Sequence, residues 1–126
     1  MFGRPITEQT MRLYRATLNT FRGLTLAARS EAAVRQEIAV LAIAIPLGFF
    51  LAPGAGWYVA MIGVLWMVMA VELLNTAIEK LADHVTPEWH SQIGMIKDCG
   101  SAAVFCTLCL AALVWIAGIA VRFNLV

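Results

Sequence analysis

The sequence predicts an all-α integral membrane protein, with an N-terminal amphipathic surface helix followed by three transmembrane helices. Three observations lead there. Of the 126 residues, 61% are hydrophobic and only 13% charged, with mean hydropathy +0.80; a domain of this size cannot bury that much apolar surface in water. Three long apolar runs follow one another along the chain. Residues 1–30 carry recurrent arginines rather than an uninterrupted apolar stretch, so they read as a surface helix and not as a signal peptide. The length suits one membrane-embedded domain over residues 1–126.

The surface helix is expected over residues 6–29. Met11, Tyr14, Leu18, Phe21 and Ala28 recur at three-to-four-residue spacing. Arg12, Arg15, Arg22 and Arg29 fall within an arc of roughly 100°, so the helix would lie in the membrane interface with its arginines toward headgroups and water. The first span, residues 32–52, carries Arg35, Gln36 and Glu37 at one end and Pro46 and Gly48 inside, so a mild bend is expected at the proline. Pro53-Gly54-Ala55-Gly56 is an uncharged turn. The second span covers residues 57–81. After it comes a polar segment, residues 83–98, in which Thr86-Pro87 reads as an N-cap with proline at the first helical position. The third span, residues 100–121, is 22 residues without a charge, or roughly 33 Å of helix, enough to cross a bilayer. Cys99, Cys106 and Cys109 on that helix are expected to be small buried packing groups, with no disulfide and no metal. The small residues Gly100-Ser101-Ala102-Ala103 suit close helix packing.

Charge sets the orientation. Arg4, Arg12, Arg15, Arg22, Arg29, Arg35, Lys80 and Lys97 fall on one side of the three spans, and Arg122 alone on the other. The positive-inside rule then puts the N-terminus and the 83–98 segment in the cytoplasm. No basic patch interleaves with aromatics, which argues against a nucleic-acid partner.

From residue 57 to residue 74 the only charged side chain is Glu72. An ionisable group inside an apolar run marks a functional site by default, since inserting it costs roughly 2.5–3.5 kcal/mol. Glu72, Asn75 and Glu79 are spaced i, i+3, i+7 and share a helical face. If Trp57 marks the outer interface, Glu72 lies roughly 22 Å further in, near the inner edge of the hydrocarbon, and Glu79 about 10 Å beyond it on the wet side. A shielded carboxylate there suits a general base acting on a lipid hydroxyl. A wetter one suits Mg²⁺, which takes one or two carboxylates together with substrate phosphates. The same polar groups also suit interhelical hydrogen bonds that hold an oligomer together. There is no GxxxxGK[ST] loop. His84 and His90, flanking Glu88, read as solvated loop histidines.

Three blocks of residues carry a family likeness: Glu31-Ala32-Ala33-Val34-Arg35-Gln36-Glu37, Val71-Glu72-Leu73-Leu74-Asn75-Thr76-Ala77-Ile78-Glu79 and Lys97-Asp98-Cys99-Gly100-Ser101-Ala102-Ala103. In order and spacing they resemble the signature blocks of the prokaryotic diacylglycerol kinase family, over roughly residues 12–121. The resemblance implies a homotrimeric bundle with active sites shared between subunits at the cytoplasmic interface. By matching motif, Glu72 would be the general base and Asn75 would position it. Glu31 and Glu79 would bind the metal, Lys97 and Arg12 would contact phosphate, and Asp83 and Asp98 would line the nucleotide site. Gln36 and Glu37 match residues near the site without an assigned role. The Arg35-Gln36-Glu37 and Lys97-Asp98-Cys99-Gly100 details resemble the Gram-negative diacylglycerol kinase branch more than the undecaprenol kinase branch.

The reaction this implies is phosphorylation of diacylglycerol to phosphatidic acid in the bacterial inner membrane, with ATP as co-substrate and Mg²⁺ as cofactor. Undecaprenol phosphorylation is the alternative within the fold. A small transporter, channel or scaffold is the alternative of another class; against it, the outer half of every span lacks ionisable residues, so no polar pathway crosses the membrane.

Overall fold

The structure is a computed structural model that describes residues 5–126, so Arg4 of the charge count lies outside the described residues. Four helices follow in order: α1 (Ile6–Ser30), α2 (Ala32–Leu51), α3 (Ala55–Val85) and α4 (Ser91–Arg122). The last three are each long and apolar enough to cross a membrane. The four helices overlap the four expected segments, with α3 and α4 extending beyond the expected spans, α4 by nine residues at its start.

α1 begins at Pro5, whose carbonyl accepts from the Glu8 and Gln9 amides at 2.9 and 3.2 Å. A proline at this position loses no helical hydrogen bond. Along the helix, Thr10, Thr17, Thr20 and Thr25 each donate to the carbonyl four residues back, which removes the competing polar conformations of their hydroxyls. Only the last turns of α1 pack on the rest of the chain. Ala27 joins Val34 of α2 and Met69 of α3 in one buried cluster, whereas Tyr14, Leu18 and Phe21 keep the apolar face of the first half exposed. That is the arrangement an interfacial helix needs.

Glu31 breaks the chain between α1 and α2, with extended backbone at φ −120° and ψ 119°. The Arg35 Nη1 donates back to the carbonyls of Ala28 and Arg29, at 2.8 and 3.3 Å. It thereby satisfies carbonyls that α1 leaves free at its end and places a positive charge at the negative end of the helix dipole. α2 runs through Pro46 as one unbroken helix, burying Val34, Leu41, Ala44 and Gly48 against its neighbours.

α3 and α4 form the main antiparallel pair, with α2 alongside α3. At 31 and 32 residues they are roughly 46–48 Å long, well beyond an apolar layer of about 30 Å. Both therefore project at the end where α1 lies. The opposite end is tied by three hydrogen bonds: Tyr58 Oη to the Ile45 carbonyl at 3.0 Å, Trp115 Nε1 to the Met61 carbonyl at 2.9 Å, and Arg122 Nε to the Phe50 carbonyl at 3.2 Å.

Two expectations are corrected. Thr86-Pro87 does not start the last helix. Thr86 is the C-cap of α3, the backbone stays non-helical to His90, and the His90 Nδ1 accepts from the Gln92 amide at 3.2 Å as the N-cap of α4. Pro87 disfavours helical backbone at the residue before it, so it acts here as a stop for α3. The three cysteines are exposed, not buried. α4 packs through a stripe of Gly100, Val104, Thr107, Ala111, Trp115 and Gly118, all buried or half-buried, and the cysteines fall off that stripe.

Candidate functional site

The polar groups gather where α3, α4 and the α1–α2 elbow meet. Glu72 and Asn75 are only 7% and 8% exposed, and Thr76, one position on, is buried with them. Helical spacing puts these three on the face of α3 that packs inward. Gly100 of α4 lies directly against Asn75: a Cβ at position 100 would run into Asn75 Oδ1. The small-residue run thus has its structural use at one position. Ser101, Ala102 and Ala103 are exposed.

Around Glu72 the charge is mostly negative. Its carboxylate sits in the field of Glu79, two turns further on, and of Glu31, which the elbow brings in. Glu37 of α2 lies in the field of Glu72. Two buried oxygens have no hydrogen-bond partner among the described residues, Glu37 Oε2 and Asn75 Oδ1. An unpaired buried oxygen is expensive, so both oxygens are open to a donor from a bound group or another chain.

Two ammonium groups balance this field. Lys97 of α4 donates to Asp83 Oδ1 of α3 and also lies in the field of Glu79. Lys80 of α3 places its Nζ 3.5 Å from Glu31 Oε1. Glu31, Glu72, Asn75, Glu79, Asp83 and Lys97 thus all stand at this junction. Asp98 follows Lys97 on α4 but is exposed and forms no ion pair among the described residues. Arg12 is not brought to the site within one protomer; it lies exposed on the free first half of α1, among residues of its own helix.

Sequence reasoning missed Lys80, Gly100's particular contact and the unpaired Glu37 oxygen. Lys80 reads as one more cation after a span, and nothing local links it to Glu31. For Glu37, the signal is its place at the end of an apolar run on the helix facing Glu72.

A cleft of about 540 Å³ runs between α1 and α3 beside this cluster. Leu24, Leu26, Trp66, Met69 and Leu73 give it apolar walls, and Asn19, Thr20, Thr76 and Lys80 give it polar groups. Lys80 and Trp66 are 14 positions apart on α3, or roughly 21 Å of helix. An amphiphile with a polar head and an extended chain matches that shape.

Among the described residues no group of three or more His, Cys, Asp and Glu side chains is arranged to hold a metal by itself. Glu31 and Glu79 are nonetheless hard oxygen donors in one electrostatic neighbourhood, and a cation, the Lys80 ammonium, already stands against Glu31. That donor set fits Mg²⁺, which is held by one or two carboxylates and otherwise by water and substrate phosphate.

Comparison with known proteins places the chain. The family model for prokaryotic diacylglycerol kinase matches residues 18–119. A diacylglycerol kinase of Haemophilus influenzae is 41% identical over 103 residues, 82% of this chain and 87% of that protein. Its Pseudomonas aeruginosa counterpart is 38% identical over 113 residues, 88% and 92% of the two chains. That of Escherichia coli K12 is 36% identical over 104 residues, 82% and 85% of the two.

Proposed function

We propose a reaction for this chain, which belongs to the prokaryotic diacylglycerol kinase family: transfer of the γ-phosphoryl group of ATP to the free hydroxyl of diacylglycerol, giving phosphatidic acid. It is a bacterial membrane protein and a lipid kinase of that family. The finer assignments that follow are our reading of its geometry.

The observation that carries the proposal is the buried Glu72 carboxylate, at the end of an apolar span and in the shared field of Glu31 and Glu79. Phosphoryl transfer asks mainly for positioning and charge neutralisation. The acceptor hydroxyl reaches Glu72 from the lipid side. Glu72 takes its proton as the oxygen attacks the γ-phosphorus, and the bond to the β-phosphate oxygen breaks in line. Asn75, held on Gly100, orients the carboxylate or the hydroxyl. Glu31 and Glu79 would hold Mg²⁺, which when bound neutralises phosphate charge. Lys97 contacts the phosphates, and its present partner Asp83 lines the nucleotide site with Asp98. Arg12 reaches phosphate from the surface helix.

Homotrimeric assembly is part of this reading. Met67, Val71, Leu74, Ile78, Leu81 and Val85 repeat at alternating four- and three-residue steps along α3, the spacing of a coiled-coil seam. All but the half-buried Val71 are exposed on the protomer. Lipid covers such a seam at membrane depth. Leu81 and Val85 lie on the projecting end of α3, where copies of the same helix are the apolar surface that fits. A shared site also gives Arg12 a destination. The charge count supports an N-terminus and a site on the cytoplasmic face of the inner membrane, where ATP is found.

The test is Glu72→Gln in purified protein. A general base typically contributes 10²- to 10⁴-fold, so turnover is expected to fall by roughly that factor with helicity and oligomeric mass unchanged. Substantial ATP-dependent lipid phosphorylation by the variant would falsify the base assignment. A variant that loses its assembly instead would support interhelical hydrogen bonding as the role of Glu72.

A further inference from the structure

We propose that Lys80 is a resident counter-ion of Glu31, displaced when a divalent cation binds there, and that its displaced ammonium contacts the phosphate of the lipid product at the mouth of the α1–α3 cleft. The inference rests on reading Glu31 as a metal ligand and adds a residue to that site.

Lys80 follows Glu79 on α3, and its Nζ lies 3.5 Å from Glu31 Oε1, with the two side chains 56% and 32% exposed. An ion pair this open to solvent contributes little to stability and exchanges readily. It has nevertheless formed in a junction crowded with carboxylates, Glu31, Glu72 and Glu79. The other lysine of that junction, Lys97, is held by Asp83. Lys80 is therefore the cation that offsets Glu31. A divalent ion shared by Glu31 and Glu79 would bring two positive charges against the same carboxylate, and the ammonium, on a flexible four-carbon stem, would be driven off.

The surroundings of Lys80 show where it goes. Among the described residues it is the only cationic one lining the cleft, and Thr76 lies one turn before it on the same helix. An acyl chain lying along Trp66, Met69 and Leu73 of α3 would leave its headgroup beside Thr76 and Lys80, further along that helix. A hydroxyl headgroup gains little from an ammonium; a phosphate monoester gains a charge-assisted hydrogen bond. Lys80 should thus favour the phosphorylated lipid over the acceptor, and its two contacts, with Glu31 and with lipid phosphate, exclude each other.

The test uses the purified full-length protein, Lys80→Met, Glu31→Gln and the double variant. Methionine keeps the apolar stem in the cleft and removes the charge. Binding of Mn²⁺ in the presence of ADP is followed by electron paramagnetic resonance, and inhibition is measured with dioctanoyl phosphatidic acid. Lys80→Met is expected to bind Mn²⁺ roughly two- to fivefold more tightly, the scale of an exposed ion pair, and to lose that gain when Glu31→Gln is added. Its inhibition by the phosphatidic acid is expected to weaken by a similar factor, with Lys80→Arg restoring it. If Glu31→Gln weakens Mn²⁺ binding but Lys80→Met leaves it unchanged or weaker, the counter-ion role is wrong and the metal reading stands. If Glu31→Gln has no effect in either background, the metal reading fails and this inference with it. Unchanged phosphatidic acid inhibition in Lys80→Met would remove the product contact.

Discussion

Asn75 owes its position to the missing side chain at Gly100, where a Cβ would collide with its Oδ1. The colliding atom is the tip of a side chain and not backbone, so a Gly100→Ala protein relieves the clash by turning Asn75. The fold should survive, with thermal stability changed by less than about 1.5 kcal/mol, while kcat falls at least tenfold if Asn75 has the orienting role proposed for it. Thermal unfolding and a lipid kinase assay on the same preparation check this; equal losses in both would mean that the glycine serves packing alone. Glu72, Asn75 and Glu79 are legible in the sequence because charge inside an apolar run is conspicuous and helical spacing puts them on one face. The pairing of Lys80 with Glu31 is not, because an elbow between two other helices brings Glu31 in.

At the scale of elements, α4 joins two jobs on one packing stripe. Gly100 seats Asn75 at the site end. At the far end a Cβ at Gly118 would lie 2.9 Å from Met61 Sδ and 3.2 Å from Trp57 Cε3. Met61 is fully buried and its carbonyl holds the Trp115 indole, so there is little room to give. Gly118→Val is therefore expected to destabilise the α3–α4 pair by about 1–3 kcal/mol, read as a lower unfolding midpoint in denaturant, with kcat of the folded fraction nearly unchanged. The opposite signatures of the two glycine substitutions separate site geometry from helix packing. The helices themselves were legible from hydrophobic periodicity and length. The start of α4 was not, since Thr86-Pro87 carries the chemistry of a helix start and of a helix stop alike, and the next capping side chain, His90, decides the matter. The cysteines were misplaced for a related reason: in a helix that is apolar all round, composition does not say which face meets protein.

The whole molecule has more apolar surface than one protomer can use. α1 leaves its first half unpacked, and the α3 seam from Met67 to Val85 has no partner among the described residues. Leu81→Glu would place carboxylates next to one another around the proposed three-fold axis. It is expected to lower the mass seen by light scattering in detergent from trimer to monomer and to abolish activity, since the proposed sites are shared between chains. An intact trimer in that variant would move the contact to another face. Assembly is the least legible property in the sequence, since the same heptad spacing serves lipid contact and self-association. The most direct measurement is phosphatidic acid formation by the purified protein in detergent, given ATP, Mg²⁺ and dioctanoylglycerol, with a short-chain polyprenol in a parallel reaction. Rapid, Mg²⁺-dependent phosphorylation of the diacylglycerol over the polyprenol, lost in Glu72→Gln, is the expected result. No phosphorylated lipid from the wild-type protein, or a preference for the polyprenol, would contradict the proposed reaction.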